Sequence, residues 1–235
     1  MLKVSRRPEG RPEIFYSIQG EGINMGKPAV FLRLGLCNLA CIWCDTKYTW
    51  DWKLYDPGER IIEMSLAEVE REISLYNCRY LVITGGEPML QHGQLVPLLE
   101  HLNDQGYYLE VETNGTIVPV PELVAPVDHW NVSPKLANSR NPPASREVPE
   151  ALEFFSRLPS SHFKFVVENE ADLAEVRSFL QRYGVSPERA ILMPQAKDRQ
   201  AHLRRSRWLV ERCKDSGYLF SPRLQVLLWG SREAV

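Results

Sequence analysis

Short apolar blocks alternate along this chain with segments of helical period. Ala29–Leu36 (AVFLRLGL), Tyr80–Thr84 (YLVIT), Tyr107–Val111, Asp128–Val132, Phe163–Val167 (FKFVV), Ala190–Met193 and Leu224–Trp229 are apolar runs of strand length, and each reads as a strand. Ser65-Leu66-Ala67-Glu68 is a capping box that opens a helix to about Tyr76, and a helix over Leu95–Gln105 stops at Gly106. Pro121–Val124 reads as one helical turn and Pro149–Leu158 as a helix. Ala171–Tyr183 is an amphipathic helix ended by Gly184, and Gln200–Asp215 a helix ended by Gly217. Tyr48–Glu63, with Trp50, Trp52, Pro57 and Gly58, reads as irregular, and the Pro-rich Asn138–Ala144 as a surface loop. About seven strands with helices between them predict parallel βαβ units in a single α/β domain covering residues 1–235.

The pattern also orders the polar residues. Gly-bearing or polar sequences follow the proposed strands at their C-terminal ends: Cys37–Cys44, Thr84-Gly85-Gly86-Glu87-Pro88, Glu112-Thr113-Asn114-Gly115, Ser133-Pro134-Lys135 and Pro194-Gln195. In a parallel β/α barrel that rim carries the active site. Composition changes little: 44% hydrophobic and 25% charged residues suit a soluble globular protein. A net charge of −2 argues against a dedicated nucleic-acid binder, and no apolar run approaches a membrane span. Arg204, Arg205 and Arg207 form a compact basic cluster that reads as a solvated helix face.

Candidate chemistry begins with Cys37, Cys41 and Cys44, spaced C-x3-C-x2-C. Three soft thiolates suit an iron–sulfur cluster, and in a four-iron cluster they leave one iron free for a small molecule. A zinc site normally takes four ligands, and no His follows at finger spacing. A disulfide is disfavoured by the odd cysteine count, the absence of an apolar leader and a chain long enough to build a core. Cys78 and Cys213 are isolated and read as core residues. A reducing cytoplasm is the expected location.

Several other residues have both a structural and a functional reading. The glycines of the Thr84–Pro88 run allow close backbone approach, while Glu87 either caps a turn or accepts from an ammonium group. Glu112, Ser133 and Lys135 could hold a ribose and a carboxylate, or be caps and rim ion pairs; Gln195 could meet a ribose or adenine. Gln19 and Glu21, in Ile18-Gln19-Gly20-Glu21-Gly22, match the donors and acceptors of a pterin edge. Arg33 stands in an apolar strand and needs a partner, either a structural Glu or a substrate carboxylate. Asp45-Thr46 offers hard oxygens that suit Mg²⁺, though Asp45 also reads as a helix cap.

The C-x3-C-x2-C spacing matches that of radical S-adenosylmethionine enzymes. The runs FYSIQGEG, FLRLGLCNLACIWCDT, ITGGEP, ETNGT and SPK closely resemble one family of them, the 7-carboxy-7-deazaguanine synthases of queuosine and deazapurine biosynthesis. The resemblance extends from Ile14 to about Gln195, with a weaker match in QVLLWG. It implies a lyase with an incomplete TIM-type β/α barrel that converts 6-carboxy-5,6,7,8-tetrahydropterin to 7-carboxy-7-deazaguanine with loss of ammonia. A 4Fe-4S cluster on Cys37, Cys41 and Cys44, S-adenosylmethionine and Mg²⁺ on Thr46 would serve it. By position, Trp43, Cys44, Asp45, Gly86, Glu87, Glu112, Ser133, Pro134, Lys135, Met193, Pro194, Gln195 and Ala196 would meet S-adenosylmethionine. Ile18, Gln19, Gly20, Glu21, Arg33, Thr84 and the terminal Val235 would meet substrate. Gln225 stands where many relatives have a His. The implied partners are an electron donor such as flavodoxin or ferredoxin and a second copy of the chain. Two other readings remain: a glycyl-radical activase, which needs no pterin site, and a non-enzymatic metal-binding module.

Overall fold

Strand alternation decides the architecture. The computed structural model describes residues 1–230 and residue 232. Among them, one sheet contains β1 (Leu2–Ser5), β2 (Ile14–Ile18), β3 (Pro28–Leu34), β4 (Ile61–Met64), β5 (Tyr80–Gly85), β6 (Tyr108–Thr113), β7 (His129–Val132), β8 (Ser161–Val167), β9 (Ala190–Pro194) and β10 (Leu219–Phe220). The helices are α1 (Pro57–Arg60), α2 (Leu66–Ser74), α3 (His92–Asp104), α4 (Pro121–Val124), α5 (Pro143–Arg146), α6 (Pro149–Arg157), α7 (Glu170–Tyr183), α8 (Arg199–Ser216) and α9 (Leu224–Trp229). The order β10-β9-β8-β7-β6-β5-β3 is parallel throughout, while β1 and β2 run antiparallel to β3, and β4 antiparallel to β1. The path ends at β10 and β4 without closing, so the sheet is a partial TIM-type barrel.

Each parallel strand sends one set of side chains outward. Leu32, Ile83, Val111, Val132, Phe165 and Leu192 lie in the main hydrophobic cluster with helix residues such as Ile73, Leu99, Phe155 and Val176. Burial of this layer, at roughly 25 cal/mol per Å² of apolar surface, is the main force holding helices to sheet. The alternate positions face inward and are largely polar: Arg33, Thr84, Glu110, Glu112, Asn131 and Lys164.

Local signals held where they were chemical. Ser65 and Glu68 form a reciprocal capping box at α2, and Gly184 and Gly217 end α7 and α8 in the left-handed conformation. Three expectations need correction. The predicted strand Leu224–Trp229 is helix α9; a six-residue apolar run carries no decisive period, and Leu219–Phe220 pairs with β9 instead. Tyr48–Glu63 is not wholly irregular, since Asp56 caps α1 through Gly58 N and β4 follows. Asn138–Ala144 is not simply a surface loop, because Ser139 and Asn141 are buried against the cysteine segment. The short antiparallel strands β1 and β2 lie outside the predicted pattern.

Two inward histidines carry a pH prediction. His129 and His162 lie with ring centroids 5.2 Å apart, and burial, then His162, hold His129 down at about 4. The unfolded chain therefore takes up a proton near pH 6.5 that the folded chain refuses, so this contribution is intact above pH 6.5 and is lost as pH falls toward 4. His129→Gln should remove roughly 3 kcal/mol of the stability lost between those pH values, read as the difference in urea midpoints from wild type. Parallel pH curves for the two proteins would count against it.

Candidate active site

At the C-terminal ends of the parallel strands a cavity of about 550 Å³ opens. Its wall includes Cys37, Cys41 and Cys44, together with Ile18–Glu21, Arg33, Thr84–Gly86, Glu112, Ser133, Lys135, Lys164 and Gln195. Residues from seven strands or their loops thus converge on one space.

The cysteine loop owes its shape to the two glycines at the end of β5, Gly85 and Gly86. Leu36 turns the chain at φ 71°, and Gly86 N donates to Leu34 O at 3.0 Å while Glu87 N donates to Leu36 O at 2.7 Å. A Cβ on Gly86 would fall 1.8 Å from Leu36 O, and one on Gly85 would fall 2.1 Å from Leu34 O. The glycines therefore permit backbone contact between the β3 and β5 loops. The five cysteines are free thiols. Each thiol of the triplet has a donor: Leu39 N reaches Cys37 Sγ at 3.5 Å, Asn141 Nδ2 reaches Cys41 Sγ at 3.2 Å, and Trp50 Nε1 reaches Cys44 Sγ at 3.4 Å. Burial pushes Cys37 up to about 12 and raises Cys41, which favours the neutral thiols unless a metal takes the place of the proton. Among the described residues no three His, Cys, Asp or Glu side chains converge on a single metal ion. The set suits a multi-iron cluster, which ties each thiolate to its own iron and is tuned by hydrogen bonds to sulfur.

Deeper in the barrel, charges from the inward strand faces meet the Gln19–Glu21 loop. Lys164 Nζ lies 2.5 Å from Glu21 Oε2 and 3.7 Å from Glu112 Oε1. Burial alone would raise Glu21, but Lys164 and Arg223 outweigh it and hold the carboxyl at about 2. Burial opposes the charge on Lys164, yet Glu112 and Glu21 raise it above its ordinary value. Glu110 accepts from Gln19 Nε2 (2.7 Å), Asn24 Nδ2 (2.7 Å) and Tyr80 Oη (2.5 Å). Gln19 is thereby buried and its amide is committed to Glu110 and to Glu21 N, so its side chain does not present a free edge to a ligand. Arg33 has its structural partner: its Nε donates to Glu13 Oε1 at 2.8 Å, while the residue still lines the cavity.

Other rim residues divide. Thr84 Oγ1 donates to Glu112 Oε2 at 2.8 Å, and Lys135 Nζ donates to Ser133 Oγ at 2.8 Å beneath the Trp43 ring. Met193, Gln195 and Ala196 line the wall, and Arg205 holds the carbonyl and side chain of Gln195, so part of the basic cluster braces the site. Glu87 does not line the cavity; it is fully buried and accepts from Met89 N, Thr113 Oγ1 and Asn114 N. Pro134 and Pro194 are also off the wall, and Pro134 borders a separate cavity of about 200 Å³. Asp45 caps nothing: its carboxylate pairs with Arg223, and Thr46 precedes the short turn of Lys47–Thr49 without a capping bond. Thr46 Oγ1 lies 3.6 Å from Cys44 Sγ on the cavity wall. Val235 lies outside the described residues.

Sequence reasoning passed over Lys164, Glu110, Glu13, Asn141 and Arg223. For the first two a signal existed. Phe163-Lys164-Phe165 and Leu109-Glu110-Val111-Glu112 each place charge inside an apolar strand, as Arg33 does. The remainder carry no local mark.

Residues 33–158 match the Radical SAM superfamily, and with the three-thiol cavity at the mouth of a partial barrel this defines the class as a radical S-adenosylmethionine enzyme. The curated 7-carboxy-7-deazaguanine synthase of Pyrobaculum aerophilum is 41% identical over 93% of this chain and 94% of its own length. That of Halobacterium salinarum is 34% identical over 92% and 89%. The crystal structure of QueE from Escherichia coli superposes with a TM-score of 0.70 at 26% identity, covering 95% of this chain and 94% of that one. The chain belongs to the 7-carboxy-7-deazaguanine synthase family. Membership sets aside the activase and metal-module readings. Among the described residues no helix is long and apolar enough to cross a membrane.

Proposed function

We infer that this chain converts 6-carboxy-5,6,7,8-tetrahydropterin to 7-carboxy-7-deazaguanine with loss of ammonia. The observation that carries the reading is the convergence on one cavity of three free thiols and a charged inner strand face. A volume of about 550 Å³ suits small organic ligands. Cys37, Cys41 and Cys44 would hold a 4Fe-4S cluster, and S-adenosylmethionine would lie against Gly86, Glu112, Ser133, Lys135, Met193, Gln195 and Ala196. Together these groups supply hydrogen-atom abstraction when bound.

The chain's own residues orient and polarise. The backbone of Ile18–Gly20 and the ionised Glu21 would read the pterin ring, and Arg33, still facing the cavity, would attract its carboxylate. Thr46, on the cavity wall, would contribute one hard oxygen toward Mg²⁺. An ion that keeps several waters and shares a substrate carboxylate fits that sparse set better than a protein-only cage would. We further propose a cytoplasmic homodimer reduced by flavodoxin or ferredoxin, with no nucleic-acid partner.

The test is an anaerobic incubation of the reconstituted chain with the carboxytetrahydropterin, S-adenosylmethionine, Mg²⁺ and dithionite. The deazapurine is the expected product. Its absence with an intact cluster overturns the reading.

A further inference from the structure

Arg223 stands where the backbone leaves β10 for α9, and one guanidinium there reaches three separate loops. Its Nε points to Glu21 Oε1 at 3.3 Å, its Nη1 donates to Ala196 O at 3.2 Å, and its Nη2 pairs with the Asp45 carboxylate. These partners follow β2, β9 and β3 respectively. The side chain is 14% exposed, and Arg223 N donates to His202 Nε2 at 2.8 Å, which fixes where the fork begins.

Among the described residues, the neighbours of Arg223 secure only one of those loops. Gly22 N donates to Ser221 Oγ at 2.9 Å, Leu224 N to Gly20 O at 3.0 Å, and Gln225 Nε2 to Glu21 Oε1 at 2.6 Å. The segment around Arg223 is thus stitched to the Gly20–Gly22 loop, and Arg223 itself carries the connection on to the cysteine loop at Asp45 and to the carbonyl at Ala196. A planar fork with separate donors can serve three acceptors in fixed directions, whereas a lysine ammonium has one centre of charge. Asp45 is well exposed, so that arm alone is weak in water; the buried arms to Glu21 and Ala196 hold the fork in place.

The geometry points to Arg223 as a positioning residue that sets the distance between the substrate loop and the loops carrying the cluster and S-adenosylmethionine. The inference rests on the function proposed above. Hydrogen abstraction between two bound molecules depends on their registration, and a displacement of about 1 Å can cost about 10²-fold in rate. Neither ligand needs to touch Arg223 for it to matter.

The experiment compares wild type with Arg223→Gln and Arg223→Lys as reconstituted holoenzymes, reduced by dithionite. It reads the ratio of 5′-deoxyadenosine released to deazapurine formed, kcat and KM for the pterin, and amide hydrogen exchange over residues 19–22 and 43–46. Arg223→Gln should raise the ratio about 10-fold and lower kcat by up to about 10²-fold, with faster exchange in both segments at unchanged iron content. Arg223→Lys keeps a charge beside Glu21 and keeps the fold, and it should shift the ratio in the same direction by less. An unchanged ratio, with activity tracking only the folded, iron-loaded fraction, overturns the inference; so does unaltered exchange at 43–46. If wild type forms no deazapurine, the proposed function fails, and the exchange measurements alone then decide whether Arg223 couples the loops.

Discussion

Alanine in place of Cys44 should leave the chain folded and without turnover. The thiol sits half-buried on the cavity wall, takes a hydrogen bond from Trp50 Nε1, and shares the wall with Cys37 and Cys41. Removing one thiolate from a three-thiol set leaves two, too few to hold a cluster against loss to solvent. The side chain is not part of the hydrophobic clusters, so the stability change should stay within about 1 kcal/mol. The expected readings are loss of bound iron and sulfide, loss of the visible absorption of the reconstituted protein, and deazapurine below detection. Cys78→Ala is the control, since that thiol donates to Pro28 O and Tyr80 O away from the cavity and should keep both metal and activity. Retention of the cluster spectrum by Cys44→Ala would show that its sulfur is not a ligand.

Lys164→Met should have the largest effect on stability among single changes within the barrel. Lys164 is buried, and its ammonium compensates Glu21 at 2.5 Å and Glu112 at 3.7 Å. Methionine matches the volume and takes from both carboxylates their nearest cation, leaving Glu21 with Arg223. Breaking a buried pair from one side costs about 3–5 kcal/mol, because the stranded charge has been taken out of water. The urea midpoint at pH 7 checks this. Lys164→Met combined with Glu21→Gln should recover part of the loss, since neutralising the stranded partner removes much of the penalty. A single-variant shift below about 0.5 kcal/mol would mean that water reaches the cluster of charges and screens it.

Both expectations concern residues whose roles differ in how far they can be read locally. The Cys37–Cys44 triplet states its chemistry within eight residues, because the cluster needs thiols from one short loop. Lys164 states only that a charge interrupts an apolar strand. Its partner Glu21 is 143 positions away in sequence, and only the sheet brings the two together. The Thr84–Pro88 run lies between these cases: its glycines marked a close approach, but the approach turned out to be to the backbone of Leu34 and Leu36, and Glu87 braces Thr113 and Asn114.

What the chain order alone determined is what can be read at short range: the apolar runs that form β3 and β5 to β9, the capping box at Ser65, the glycine stops at Gly184 and Gly217, the polar rim and the family signature. Steric preference and hydrogen bonding between near neighbours suffice for these. Tertiary structure decided the identity of α9, the commitment of Gln19 to Glu110, the pairing of Arg33 with Glu13 and the three-way reach of Arg223. In each case a short segment had two conformations or a polar group two possible partners of similar local energy, and the choice fell to groups that approach only once the sheet has curved around them.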